Sequence, residues 1–305
     1  MPELPEVQTI VDDLNKKIIG RRITGVWFDA PKLIKKPKSK DFEKEIKGLK
    51  IIEIRRRGKN ILIYLEKCHM SGVKCQMFLL LVHQKLTGHL LYGKWRTIKV
   101  SRFKSLKVKS LIRGSLEEKV NNYIHLIFYL DNGWQLGLSD LRKFAKVLFG
   151  LKEEIEKLPD LTKLGPEPLD QSFNLSVFQS AILKNKGKIK QVLMNQEIIA
   201  GIGNIYADEI LWQAKIHPFK KANDLTVNEL KILYAAMRRI LKKAIKLRGT
   251  STSDYRDAEG RPGAYGKILK VYQKEDEPCR RCRTLIKRVK MGGRSSHYCP
   301  KCQKI

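Results

Sequence analysis

Apolar side chains at Val7, Ile10, Val11, Leu14 and Ile18 fall on one face of a helix, and Gly20 follows as its stop. From about residue 22 to 150 the rhythm shortens to that of strands. β-Branched and aromatic runs occupy 23–28, 51–55, 61–65, 77–83, 123–130, 135–138 and 144–149, several separated by turn residues such as Gly58-Lys59-Asn60 and Asp131-Asn132-Gly133. Strands that follow one another through short turns favour antiparallel pairing, which predicts a β-sandwich or barrel with a flanking helix. Within this block, Gly93 to Gly114 carries eight Lys/Arg and no acid. Its pattern suits a basic strand pair or a mobile loop equally.

A Pro- and charge-rich linker, Leu158-Pro159 through Gly165-Pro166-Glu167-Pro168, closes the β-rich block, and helical spacing takes over. Apolar positions predict helices over 175–184, 189–194 and 204–214, the last behind a Gly-x-Gly turn. Thr226 and Glu229 form a T-x-x-E capping box ahead of the stripe Leu230, Leu233, Tyr234, Met237, Ile240, Leu241 and Ile245. Residues 250–266 are polar and rich in Gly and Pro, so a loop is expected. The expected architecture is α+β and multidomain: a β-sandwich block at 1–157, a helical block at 158–268 and a cysteine module at 269–305.

Charge narrows the partner. Sixty-two Lys+Arg stand against thirty-one Asp+Glu, a net +31, and such a surplus points to a polyanion. At 42% apolar and 8% aromatic residues the composition is that of a globular chain. The longest apolar run, Met77 to Val82, is far short of the ~20 residues a membrane helix needs. Acids near the N-terminus and the lack of an apolar stretch there argue against a secretory signal. These features predict a soluble, cytoplasmic, nucleic-acid-facing protein.

Cys279-x2-Cys282 and Cys299-x2-Cys302, sixteen residues apart, have the spacing of a four-cysteine structural zinc site. Two knuckles fill a tetrahedral shell and leave no open position for catalysis. Disulfides and rubredoxin-like iron are the alternatives. Arg280, Arg281, Arg283, Arg288 and Arg294 around the ligands suit a finger that meets phosphates, or a merely solvated surface. Cys68 and Cys75 are expected to be unpaired strand cysteines, with a redox pair as the alternative.

Met1 precedes Pro2, a residue after which the initiator methionine is normally removed. Removal bares a secondary amine that can attack an electrophilic sugar carbon and form an iminium. Glu3 and Glu6 beside it could move protons. A helix N-terminus, with proline early and acids against the dipole, accounts for the same residues.

Met1-Pro2-Glu3-Leu4-Pro5-Glu6-Val7 resembles the start of bacterial formamidopyrimidine-DNA glycosylases, base-excision enzymes that remove oxidised purines. Arg56-Arg57-Gly58-Lys59-Asn60 resembles the family's lysine-bearing hairpin. Leu164 to Leu169 resembles its interdomain linker, and Ala200-Gly201-Ile202-Gly203-Asn204-Ile205-Tyr206-Ala207 its helix–two-turn–helix signature. The cysteine module is similar to its C-terminal zinc finger. These marks run in family order from residue 2 to residue 302.

The resemblance implies Pro2 as nucleophile at the deoxyribose C1′, Glu3 as the acid that helps open the sugar, Glu6 as a supporting carboxylate, and Lys59 at phosphate and in elimination. Lys190, Asn204 and Arg294 would grip phosphates around a flipped nucleotide. Arg142 and Phe144 would enter the emptied stack, recovering part of the flipping cost. Three departures stand out. His83-Gln84-Lys85-Leu86-Thr87-Gly88 has Leu86 where a methionine wedge is common, Leu141 replaces a common proline, and Ser253 occupies a lesion-reading loop where some members have lysine. The stretches 66–77 and 94–120 are longer than usual. The implied activity is a bifunctional glycosylase and abasic-site lyase. It would act as a monomer on damaged double-stranded DNA, excising 8-oxoguanine and formamidopyrimidines with one structural Zn2+ per chain. Alternatives are an endonuclease VIII-like enzyme for oxidised pyrimidines and a non-catalytic damaged-DNA-binding protein.

Overall fold

The computed structural model describes residues 1–68, 75–100, 105–252 and 254–305. Two compact units emerge. The first comprises Met1–Pro2, Glu6–Thr162 and Arg248–Gly263; the second comprises Glu3–Pro5, Lys163–Leu247 and Ala264–Ile305.

Helix α1 (Leu4–Ile18) opens the chain, and its apolar face is fully buried. Strand β1 (Ile23–Phe28), β2 (Ile34–Lys36), helix α2 (Ser39–Ile46), β3 (Lys50–Arg57), β4 (Asn60–Cys68), β5 (Cys75–His83) and β6 (His89–Gly93) follow. Then come β7 (Trp95–Val100), β8 (Ser105–Ser110), β9 (Ile124–Leu130), β10 (Gln135–Ser139), β11 (Lys146–Leu151), and short helices α3 (Lys152–Glu156) and α4 (Pro159–Thr162). One sheet runs β1-β9-β10-β6 and another β2-β11-β5-β4-β3. All neighbours pair antiparallel except β2 and β11.

The two sheets share one core. Ile61, Ile63 and Leu65 of β4, with Phe78, Leu80 and Val82 of β5, meet Leu126, Phe128 and Leu130 of β9 and Leu136 and Leu138 of β10. This is the expected sandwich. Residues 60–65 are buried on both strand faces, so β4 reads as a continuous apolar run rather than an alternation. Phe42 of α2 lies edge-on to Phe128 and Phe149, at ring-centre distances of 6.1 and 5.7 Å. Strand β2, helix α2 and strand β6 were not expected: β2 has three residues, and α2 shows only Phe42 and Ile46 as apolar anchors among charges.

The basic stretch after Gly93 resolves as a strand pair, β7 with β8, forming its own two-stranded sheet. Cys68 and Cys75 are joined by a disulfide, which corrects the expectation of unpaired thiols. The β4–β5 register decides this. It sets the two residues directly opposite each other, with Cα atoms 4.1 Å apart.

The second unit is built from helices α5 (Leu175–Leu183), α6 (Ile189–Met194), α7 (Asn204–Ala214) and α8 (Val227–Lys246), then the hairpin β12 (Lys287–Met291) and β13 (Arg294–Tyr298). Phe178, Ile182, Leu193, Tyr206, Ile210, Leu233, Met237 and Leu241 are among its core residues. The capping box of α8 forms as read: Thr226 Oγ1 accepts from Glu229 N at 3.2 Å, and Glu229 Oε2 accepts from Thr226 N at 2.8 Å. No helix among the described residues is long and apolar enough to cross a membrane.

Residues 248–263 interrupt the helical stretch in sequence yet pack in the first unit. Tyr92 N donates to the Ala258 carbonyl at 2.7 Å, Asn121 Nδ2 to the Gly260 carbonyl at 3.1 Å, and Lys17 pairs with Glu259 at 2.7 Å. Inside the segment the buried Asp257 accepts from the Glu259 and Arg261 amides and from the Arg248 side chain.

The disulfide fixes a count. Of six cysteines, four should titrate as thiols when the metal-stripped protein is denatured without reductant, and six after reduction. Six before reduction would show that the Cys68–Cys75 bond is absent.

Candidate active site

The N-terminal residues are held by two buried carboxylates. Glu3, 2% exposed, presents Oε2 to the Gly203 amide at 2.8 Å and the Tyr206 amide at 3.3 Å, and Oε1 to the Ile205 amide at 2.9 Å. These amides begin α7, whose unpaired N–H groups and dipole favour an anion there. Leu4 N donates to the Gly201 carbonyl at 3.0 Å. The close approach explains the Gly-x-Gly turn: a Cβ on Gly203 would lie 2.5 Å from Glu3 Oε1, and one on Gly201, at φ +90°, would lie 2.8 Å from Leu4 Cβ.

Glu6 is equally buried, in the first unit. Its Oε1 accepts from the Thr250 amide at 2.7 Å, and the Tyr255 hydroxyl donates to its carbonyl at 3.3 Å. Gly249 sits at φ +79°, and a Cβ there would come within 2.7 Å of Glu6 Oε1. Burial among Glu6 and Asp257 holds the Tyr255 hydroxyl well above its usual pKa, so it stays a donor.

Lys59 occupies the β3–β4 hairpin. Arg57 pairs with Asn60, leaving Gly58-Lys59 as a two-residue turn with Gly58 at φ 57°, the glycine-first arrangement that matches strand twist. Arg56 braces it by donating to the Gly58 carbonyl at 3.0 Å and to Gln8 of α1 at 2.8 Å. Lys59 is buried, and its charge, after burial itself and Lys85, helps push the neighbouring His83 down to about 3. That imidazole is neutral at physiological pH, its Nδ1 accepting from the Lys85 amide at 3.0 Å.

Two loops of the first unit meet at Asp140, a residue to which the sequence assigned no role. Its carboxylate is fully buried and accepts from the Phe144 and Ala145 amides, both at 2.7 Å, and from the Arg142 amide at 3.3 Å. Thr87, in the turn that carries Leu86, donates its hydroxyl to the same carboxylate. Gathered this way, the 140–145 loop turns its large side chains outward. Phe144 is 50% exposed and Leu141 49%, and Phe144 is the one aromatic among the exposed large apolar residues described. The Arg142 guanidinium lies 4.7 Å from the Phe144 ring centre. Ser253 lies outside the described residues.

In the second unit, Lys190 is 1% exposed. Its Nζ contacts Asp208 at 2.7 Å and donates to the Ser295 carbonyl at 2.8 Å. Asp208 also accepts from the His297 amide at 3.0 Å, so this pair ties α6 and α7 to the β13 strand. Lys190 is therefore an internal cation whose charge Asp208 meets directly. Burial holds it below the usual lysine value, against the pull of Asp208. Arg294 is exposed beside the Gly292-Gly293 turn (φ 53° and 74°), and both it and Lys190 line a cavity of about 200 Å³. Asn204 is the first residue of α7, near the Tyr272 hydroxyl. Arg281 is used internally: it stacks 3.7 Å from the Trp212 ring centre and donates to the Trp212 and Gln213 carbonyls that end α7. Asp208 and Glu209 went unnoticed in the sequence because both act on main-chain amides far along the chain.

The four C-terminal sulfurs lie within 4.8 Å of one another, with Cys282–Cys299 and Cys282–Cys302 at 3.4 Å and Cys279–Cys302 at 3.9 Å. A tetrahedral zinc with bonds of about 2.3 Å sets its sulfurs about 3.8 Å apart. The residues fit. The Arg281 and Cys302 amides point at Cys279 and Cys299 sulfurs, as donors around thiolates do. Cys279, Cys282, Cys299 and Cys302 form a structural zinc site.

Residues 1–147 match the formamidopyrimidine-DNA glycosylase N-terminal domain, 164–256 its H2TH domain, and 276–305 a zinc finger found in FPG and IleRS. A formamidopyrimidine-DNA glycosylase of Pelotomaculum thermopropionicum is 37% identical over 305 residues, covering all of both chains. The chain belongs to the formamidopyrimidine-DNA glycosylase family. Two solved relatives, both wild-type Lactococcus lactis Fpg and both 32% identical over the full length of each chain, are similar in fold. One is bound to DNA containing N7-benzyl-Fapy-dG (TM-score 0.81), the other to DNA containing an oxidised pyrimidine (TM-score 0.80). In the family's terms, the N-terminal carboxylates, the Lys59 hairpin and the zinc finger all belong to matched domains of this chain.

Two measurements check the local geometry. Gly203→Ala should lower the unfolding free energy by about 2–3 kcal/mol through overpacking against Glu3, read from urea curves; an unchanged midpoint would mean the Glu3–α7 contact is not tight. Mercurial titration should release one zinc per chain and open residues 279–302 to protease, whereas zinc-free protein with the same protease resistance would remove the structural role.

Proposed function

We propose that this DNA glycosylase is bifunctional, excising oxidised purines from duplex DNA and then cleaving the resulting abasic site. The observation that carries the reading is the anchoring of Glu3, the residue bonded to Pro2, by the amide of the α7 N-cap Gly203 and two amides of the first turn of α7. Helix α1 starts at Leu4, so Pro2 lies ahead of its first turn, where the preference for proline early in a helix does not apply.

After Met1 is removed, the Pro2 nitrogen attacks C1′ of the damaged nucleotide. A nitrogen–carbon bond forms, the glycosidic bond breaks, and its electron pair leaves with the base, which takes up a proton. Glu3 protonates O4′ as the sugar ring opens to the iminium. Loss of a C2′ proton then expels the 3′ phosphate, and a further elimination expels the 5′ phosphate. Lys59, whose turn is braced by Arg56, holds phosphate during these steps, and Glu6 supports the N-terminal pocket through Thr250. Arg142 and Phe144, with Leu86, fill the space a flipped nucleotide leaves. The exposure of Phe144 and the Asp140 clamp that joins both loops support that assignment. Arg294 and Asn204 take phosphate contacts, with Lys190 contributing from the back of the Arg294 cavity. The zinc site folds the finger and takes no part in the reaction.

Oxidised pyrimidines are the second reading, favoured by the complex of the Lactococcus lactis relative with such a lesion. Excision rates on matched duplexes carrying 8-oxoguanine, a formamidopyrimidine or thymine glycol rank the two.

Borohydride trapping on an 8-oxoguanine duplex should give a covalent adduct. Pro2→Gly should remove the adduct while duplex binding persists, and Glu3→Gln should slow excision by about 10²–10⁴-fold. An unchanged adduct in Pro2→Gly would falsify Pro2 as nucleophile.

A further inference from the structure

We infer that the β7–β8 hairpin is a second DNA-backbone contact, gripping duplex phosphates beyond the base pairs around the lesion. The inference deepens the reading of this chain as a DNA glycosylase and rests on it.

The hairpin is firmly based. Trp95 is buried against Leu91, Leu116, Ile124 and Ile127, and Gln135 clamps its backbone, accepting from Trp95 N at 2.7 Å and donating to Trp95 O at 3.2 Å. Leu111 N closes the far side onto the Lys94 carbonyl at 2.8 Å. Strand residues alternate faces. With Trp95 and its partner Ser110 both buried, the next pair, Arg96 and Lys109, belongs to the opposite, solvent-facing side, and both residues are exposed.

Two like charges directly across a ladder destabilise it. Nothing nearby relieves them: the run from Gly93 to Gly114 has eight cations and no acid, and among the described residues no carboxylate pairs with Arg96, Lys109 or Arg113. A surface that keeps uncompensated cations on a rigid base fits a polyanion. Regularly spaced phosphates on a duplex suit a flat, two-stranded basic face. A single mobile anion would not need one.

Position sets the reach. Strand β6, five residues and about 16 Å long, separates the hairpin from the Leu86 turn. Arg96, Lys109 and Arg113 stand at the base of the hairpin, where β7 starts and β8 ends, so the length of β6 sets their separation from the Leu86 turn, roughly five base-pair steps at about 3.4 Å each. The contact thus falls on flanking duplex.

The test compares the full-length protein with an Arg96→Gln/Lys109→Gln/Arg113→Gln variant on undamaged and 8-oxoguanine duplexes of about 12 and about 40 base pairs. On the long duplexes the variant's plot of log K against log salt should be shallower by about 2.7, since each of the three lost phosphate contacts removes about 0.9. On the short ones the two proteins should coincide, and borohydride trapping there should be equal. A charge-keeping Arg96→Lys/Lys109→Arg/Arg113→Lys variant should restore the long-duplex slope. Parallel slopes on the long duplexes overturn the inference. Failure of wild-type trapping on the short duplex instead strikes the proposed activity and leaves the slopes on undamaged DNA to decide the hairpin.

Discussion

A carboxylate removed from water is tolerated only where donors surround it. This chain meets that demand twice within its first six residues. Glu3 is received by the amides that start α7, and Glu6 by the amide of Thr250. Main-chain donors must come very near to do this, and at each place the receiving strand of backbone carries glycine. Gly201 and Gly203 on one side and Gly249 on the other have no room for a β-carbon. The glycines of the helix–two-turn–helix signature are thereby accounted for by the N-terminal residues they face, with no appeal to loop flexibility.

How much of this was legible depended on distance along the chain. The strands of the sandwich, the capped helix α8 and the helix behind Gly203 announce themselves through period and caps, because their determinants lie within a few residues. The zinc ligands are legible for the same reason. Asp140, Asp208 and Glu209 are not. Their partners, main-chain amides in every case and the Thr87 hydroxyl and Lys190 ammonium besides, are brought up by the fold, most of them from elsewhere in the chain. Lys190, expected at phosphate, also carries a partner the sequence does not announce, Asp208 on the next helix. The pairing of Cys68 with Cys75 depends on strand register, which composition does not reveal. Helix α2 was missed because two aromatic or aliphatic anchors among six polar residues give too weak a stripe.

The buried acids also sharpen the meaning of the net charge. Glu3, Glu6, Asp140, Asp208, Glu209 and Asp257 are all counted in the total of thirty-one, yet each is nearly or wholly out of solvent and engaged with amides or internal cations. The solvent-facing layer is therefore more cationic than +31 suggests. Screening by salt acts on that layer and leaves the interior pairs almost untouched, so the fold and the outward field respond to ionic strength independently.

Neither compact unit is a continuous length of chain. The path changes unit after Pro2, after Pro5, after Thr162, after Leu247 and after Gly263. Severing any one peptide bond in the long middle stretches leaves pieces of both units on each fragment. The protein cannot be dissected into halves by truncation, and a gene fragment ending at the proline-rich linker would lack the sixteen-residue segment that completes its own sandwich unit.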